Sequence, residues 1–349
     1  MPAIGFIGTG LISWAHGLGL KALIDGGVIE GSIEAVYDPS ARRAQGFADA
    51  VGATVVESSE AVVARCDAVW ICTPTSAHRP AVDLALAAGR AIFCEKPLAT
   101  DLAGATALVH AVQAAGLPAQ SGLVLRSAPV FEALRALVGS GSLGRPMAAI
   151  FRDDQYFPIQ GTYGSSWRAD VAQAGGGCLI EHSIHDVDIL RFCFGEVERV
   201  AGRTAAFAGH QGIEDRATVT LSFASGLEAH LTSVWHQILT RGSTRRVELF
   251  CEEGMVSLVD EFQGPLRIET SAGSETRLCP SPSWVDDLPF AGELGLAVAP
   301  YVAADRAFVD AIAAGTPPAP SLDDALAAHW LVDAAYRSAA LDGQPVTLG

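Results

Sequence analysis

Up to about residue 125, short apolar runs alternate with longer alanine-rich stretches, a pattern that predicts a parallel sheet covered by helices on both faces. Strands are predicted at residues 3–8, 33–37, 68–73, 91–94 and 120–125, with a further short one around 53–56. Helices are predicted between them at 10–25, 41–51, 78–88 and 102–115. Past Arg126 the pattern changes. One helix is predicted at 131–138, then a loop-rich segment to 173, then a second helix from about 179 to 194. Runs at 217–223, 227–237, 246–250, 255–259 and 266–269 are separated by glycine-containing turns such as Ser225-Gly226 and Glu253-Gly254, which predicts an antiparallel meander. Helices at 301–314 and 322–340, divided by Gly315-Thr316-Pro317-Pro318, close the chain. There is no internal repeat and no low-complexity segment.

At 349 residues the chain exceeds the size at which one core keeps growing, so two domains are expected, divided near residue 125. No run of eighteen apolar residues is present, which argues against a membrane span. The N-terminus runs straight into a strand pattern with no basic region or cleavage site, so a cytoplasmic location is expected. The 7 cysteines are odd in number and scattered, and they include no C-x-x-C. They read as buried thiols in a reducing compartment rather than as disulfides or a zinc knuckle. A formal charge of -16 without a basic block sets the chain against nucleic acid and leaves a small-molecule partner.

The first strand ends in Gly8-Thr9-Gly10-Leu11-Ile12-Ser13 and opens a helix, the context in which a glycine turn binds a dinucleotide. Gly8 permits the tight turn and Gly10 lets the backbone approach a pyrophosphate. The N–H groups of Leu11, Ile12 and Ser13 lie at the positive end of the helix dipole. Ser13 replaces the third glycine; it is still small, and its hydroxyl is able to donate to phosphate. The next strand ends at Asp38, placed to accept from the adenosine ribose. Its charge would repel a 2′-phosphate, so NAD is expected. Arg42 and Arg43 nearby keep NADP open.

The fourth strand continues into Thr73-Pro74-Thr75-Ser76-Ala77-His78, and the fifth ends in Glu95-Lys96-Pro97. With the glycine turn, Trp167-Arg168, Gly175-Gly176-Gly177, the helix containing His185, and Phe308-Val309-Asp310-Ala311-Ile312, the chain resembles the Gfo/Idh/MocA oxidoreductases over nearly its whole length. The resemblance implies an α/β protein: a Rossmann domain with a doubly wound parallel sheet over 1–125, and a second α/β domain with an open, mostly antiparallel sheet over 126–349. The last helices would be able to pack back on the first domain. It implies transfer of a hydride between NAD(P) and a hydroxyl carbon of a sugar, cyclitol or related polyol. Thr73, Pro74, Thr75, His78, Glu95, Lys96 and Arg43 would lie along the cofactor. Lys96, Arg126, Trp167, Arg168, His182 and His185 would meet substrate.

On a continuous helix Glu181, His185 and Asp188 stand at i, i+4 and i+7, a polar stripe on an apolar helix. An imidazole oriented by a carboxylate suits a general base that removes the hydroxyl proton as hydride leaves, so His185, Glu181 and Lys96 are the catalytic candidates. In the family an Asp stands where this chain has Glu181. Glu181-His182-x-x-His185 is not a zinc-protease helix, because its histidines are three apart with the Glu outside them, and no metal is expected. Trp235 and His236 would face opposite sides of a strand. Two other readings accompany the dehydrogenase: a net non-redox reaction on tightly held NAD, such as glycoside cleavage or elimination, and a non-catalytic NAD(P)-binding regulator. Retention of both Lys96 and His185 disfavours the regulator. An open sheet with an apolar outer face suggests a homo-oligomer, a dimer or tetramer.

Overall fold

Ala-Val-Trp-Ile at β4 (Ala68–Ile71) and Ala-Ile-Phe-Cys at β5 (Ala91–Cys94) contain no polar position, and every residue of both is buried. Such runs belong inside a parallel sheet with both faces covered. In a computed structural model, which describes residues 1–258, 264–280 and 293–348, that is where they lie. The chain divides into two bodies, Met1–Ser127 with Pro282–Leu326, and Ala128–Ser281 with Ala327–Gly349.

In the first body β1 (Ala3–Ile7), β2 (Ser32–Tyr37), β3 (Thr54–Val55), β4, β5 and β6 (Ala119–Ser121) form a sheet in the order β3-β2-β1-β4-β5-β6. All of its pairs are parallel. Strand alternation sends Phe6, Trp70 and Phe93 into one core and Ile7, Val69, Ile71 and Ile92 into the other. The first core is built around stacked Trp70 and Phe93 rings, 5.6 Å apart at 8°, with Phe308 edge-on to both. Each such fully buried side chain contributes roughly 1.5–3 kcal/mol. α1 (Leu11–Asp25), α2 (Ala41–Val51) and α10 (Glu293–Ala314) cover this face. α3 (Ser59–Arg65), α4 (His78–Ala87) and α5 (Leu102–Ala115) cover the other. Glycine sets the helix spacing on the first side: a Cβ on Gly17 would strike the Phe47 ring, and one on Gly19 would strike Val302. Two differences from the sequence reading have clear causes. α3 has only seven residues, too few for a helical period to show. α10 begins before Pro300, where burial of Val298, Ala299 and Val302 offsets the missing N–H.

In the second body α6 (Pro129–Ser140), α7 (Val171–Ala174), α8 (Cys178–Glu181) and α9 (Ile184–Phe194) accompany a sheet in the order β14-β13-β12-β11-β7-β10-β9-β8-β15. These strands are β7 (Pro146–Tyr156), β8 (Val197–Ala205), β9 (Arg216–Phe223), β10 (Glu228–His236), β11 (Thr244–Cys251), β12 (Gly254–Leu258), β13 (Leu266–Thr270), β14 (Gly273–Arg277) and β15 (Val346–Thr347). Only the β7–β10 pair is parallel among them. The predicted end of β12 at Val259 lies outside the described residues. Ala217, Val219, Leu221 and Phe223 alternate inward along β9, as a sheet with one covered face requires. The last helix, α11 (Leu322–Ala340), adds Tyr336 and Ser338, whose hydroxyls bond Glu214 and the Gly202 N–H.

Two expectations fail here. β7 was expected to be loop, but it is a strand pairing on both sides; its run Arg152-Asp153-Asp154-Gln155 hides the apolar alternation. The continuous helix over 179–194 is broken at His182, which has φ −121° and ψ −60°. Contacts from the sheet break it. The Glu214 carboxylate accepts from the N–H groups of Gly177 and Leu179 and so starts α8. The Ser183 hydroxyl is drawn to Asp153 and to Ser233 before α9 starts.

Candidate active site

Gly8 has φ +89°, and a Cβ there would sit 2.7 Å from the Cys72 carbonyl oxygen, so the turn needs glycine on both counts. Around Gly10, by contrast, nothing lies within 4 Å of where a Cβ would be. Gly10 caps α1 without a side-chain hydrogen bond, and the first turn holds no acidic residue. The hydroxyls of Thr9 and Thr73 are buried and unpartnered. Open backbone, an uncapped helix N-terminus and two unpartnered hydroxyls fit the diphosphate of a dinucleotide. Leu11 and Ile12 follow in that turn. Ser13 departs from expectation: its hydroxyl donates to the Gly8 carbonyl at 2.8 Å inside the loop and is wholly buried. It ties the turn closed, and only its backbone N–H is left to serve a phosphate.

Asp38 is held beside this turn. Its carboxylate accepts from the N–H of Thr9 at 2.9 Å and of Ser40 at 2.8 Å, and from Arg43 at 3.0 and 3.2 Å. Burial alone would raise its pKa, but these three donors outweigh burial and hold the carboxyl below its usual range. Arg43 is thereby engaged by the acid.

At the C-terminal ends of β4 and β5, Pro74 precedes a single 3-10 turn, Thr75–Ala77, in which Thr75 is buried. The buried ring of His78 meets the Thr73 carbonyl at 3.1 Å. Glu95 is buried, and its Oε2 accepts from the Lys96 N–H at 3.3 Å. The Lys96 side chain is half-buried. Arg126 forms a 3.0 Å ion pair with Asp324, whose carboxyl burial would raise but the guanidinium and Ser321 lower.

The second body gathers the other candidates. Glu181 is buried and accepts from Arg168 Nε at 3.1 Å, while that guanidinium lies 4.4 Å from the Trp167 ring. His185 and Asp188 are buried on α9. Because the helix breaks at His182, the expected stripe is divided: Glu181 belongs to α8, and only His185 and Asp188 share a helix. His182 Nε2 lies 3.0 Å from Asp153, which also accepts from Ser183 at 3.0 Å. Arg245 Nε donates to Asp186 at 2.6 Å, and Arg245 Nη2 lies 3.0 Å from His182 Nε2. Burial pushes the Asp186 carboxyl up to about 7; Arg245 opposes this and Asp153 reinforces it. Trp235 packs on Phe157 at 4.9 Å, with Trp235 buried and His236 partly exposed as alternation requires. Both line a cavity of about 280 Å³ with Phe207, Asp215 and Arg216.

The sequence reading missed Asp153, Asp186, Arg245 and His16. His16 and Asp186 stand in largely apolar helices, and that mismatch was the available signal; Asp153 and Arg245 lie in the polar runs of β7 and β11, where local sequence offers none. Among the described residues no group of three His, Cys, Asp or Glu side chains is placed to hold a metal ion.

Residues 3–123 match the oxidoreductase family with an NAD-binding Rossmann fold, and residues 131–257 match the GFO/IDH/MocA C-terminal domain. The chain is 30% identical to an inositol 2-dehydrogenase of Rhizobium meliloti over 96% of each chain. It is 30% identical to a D-apiose dehydrogenase of Paraburkholderia graminis over 98% of this chain and 88% of the relative. The crystal structure of a putative myo-inositol dehydrogenase from Sinorhizobium meliloti superposes with TM-score 0.80 at 26% identity, covering 100% of both chains.

Proposed function

The chain belongs to the Gfo/Idh/MocA family of NAD-binding oxidoreductases, and from that premise we propose how its own groups divide the work. The reaction moves a hydride between NAD and a hydroxyl carbon of a sugar, cyclitol or related polyol. The observation that carries the reading is the ionised Asp38 fastened to an open, uncapped glycine turn. The N–H groups of Gly10 to Ser13 take the diphosphate, Asp38 takes the ribose hydroxyls, and Thr73, Pro74, Thr75 and His78 line the cofactor's path. NAD, when bound, supplies the hydride acceptor. Lys96 holds the substrate hydroxyl and favours its alkoxide form. His185 takes the hydroxyl proton as the carbon is oxidised, and a positioned base contributes about a hundredfold to ten-thousandfold. Glu181 keeps Arg168 and Trp167 in place for substrate, and His182, steadied by Asp153, lies in the same body.

The protein is further assigned to the cytoplasm, on its seven free cysteines, and to a dimer or tetramer, on the outward row of its larger sheet that includes Ile150 and Phe250. The test is a panel of inositols, pentoses, hexoses and anhydrosugars with NAD, read by reduced-nicotinamide absorbance. A stoichiometric rise with one sugar or cyclitol is expected, together with loss of turnover in Lys96→Ala while NAD still binds. Folded Lys96→Ala with near-normal turnover overturns the role of Lys96. Product formation without net nicotinamide reduction overturns the dehydrogenase reading.

A further inference from the structure

His16 is wholly buried in α1, two turns beyond the glycine loop. Its Nδ1 lies 2.7 Å from Asp305 of α10, and its Nε2 lies 3.0 Å from Glu95 at the end of β5. Trp70 Nε1 donates to the same Asp305 oxygen at 2.8 Å. Phe93 and Tyr301 meet the ring at 5.0 and 5.5 Å. Glycine makes these approaches available. Gly19 lets α1 close on Val302 of α10, and a Cβ on Gly122 would strike the Glu95 carboxylate.

We propose that His16 is a positioning residue for Lys96: it clamps the Glu95 carboxylate, whose other oxygen accepts the Lys96 backbone N–H, and so sets the turn that presents the ammonium. The inference rests on the reading that Lys96 serves the reacting hydroxyl. Burial would keep the imidazole neutral, but Asp305 and Glu95 outweigh it and raise its pKa to about 10, so both ring nitrogens donate. The Cys72 thiol, which burial and both carboxylates push well above its usual range, stays neutral beside them, as does the Cys94 thiol next to Glu95. Stability alone is a poor reason for this arrangement. A buried ion cluster in an apolar core gains little over well-packed hydrophobic side chains of the same volume, whereas it fixes one geometry.

The experiment is a double-mutant cycle of His16→Gln and Glu95→Gln in the full chain, with kcat, KM for NAD and Lys96→Ala measured alongside. His16→Gln is expected to lower kcat about ten- to a hundredfold, as misplacement of a catalytic group does. Its KM for NAD should stay within about threefold, because the lost interaction acts at the chemical step. Added to Glu95→Gln, it should cost almost nothing more, because its effect passes through that carboxylate. Losses that multiply, or an unchanged kcat in folded His16→Gln, overturn the proposal. Should His16→Gln fail to fold, Asp305→Asn replaces it in the cycle, with the same two outcomes. Normal turnover in Lys96→Ala would instead remove the reading on which the proposal rests.

Discussion

Two carboxylates set how the protein answers to cofactor and to pH. Asp38 stays charged because two backbone N–H groups and Arg43 outweigh its burial, and the same contacts engage Arg43, one of the two arginines that would serve a 2′-phosphate. Asp38→Ser should therefore raise NADP efficiency relative to NAD by at least about tenfold, a change of ~1.4 kcal/mol, in steady-state kinetics with each cofactor. A wild-type enzyme that already uses NADP as well as NAD would contradict this. Asp186 behaves in the opposite way. Its folded-state pKa of about 7 lies above the ordinary 3.8, so the native state holds the extra proton between these values. Its contribution to stability is full below about pH 4 and is lost as pH rises through about 7. Asp186→Asn keeps an oxygen for Arg245 and cannot ionise. The decline in melting temperature between about pH 5 and pH 8 should be shallower in the variant than in the wild type, and an equal decline would show that another group sets the slope.

At the scale of elements, glycine decides which helices touch. α1 reaches α10 only because Gly19 presents no Cβ to Val302, and this closeness brings His16 to Asp305. Gly19→Ala should destabilise the protein by roughly 1–3 kcal/mol, the usual cost of overpacking a filled site. Adding Val302→Ala should recover part of that loss, since the two changes meet at one contact. Urea titrations of both single variants and the double variant measure it; strictly additive losses would mean that α1 shifts instead. At Gly177 no such rescue exists, because the obstacle to a Cβ is the backbone of Glu214 rather than a side chain.

At the scale of the whole molecule, one face of the larger sheet carries exposed apolar side chains among the described residues. Ile150 is 46% exposed and sits between His230 and Glu248 on the neighbouring strands, and Phe250 lies across from Ala148. Apolar residues interspersed with charge on a broad strand face suit a self-complementary contact between copies. Light scattering should give a dimer or tetramer, and Ile150→Glu with Phe250→Glu should shift it to a smaller species. A monomeric wild type would overturn the assignment.

The parallel sheet, its helices other than the seven-residue α3, the glycine turn, Asp38 and the Glu95-Lys96-Pro97 end of β5 were legible in the sequence. Each is written in local spacing, by the period of apolar residues or by glycine and acid at set distances along one strand-turn-helix unit. β7 was not legible. Its polar run at 152–155 is tolerated in mid-sheet because His182, Ser183, Arg241 and Arg245, all remote in sequence, bond its carboxylates. The break at His182 was hidden for the same reason, since Glu214 and Asp153 impose it from the sheet on residues that a helical period would have carried through. His16 was one histidine in an apolar helix until folding placed an acid 289 residues away against its ring. Local pattern determines which backbone forms a strand or helix and where a cofactor turn lies; which buried charge answers which is decided only in the tertiary structure, because in a low-dielectric interior each such group must find its partner wherever the chain brings one.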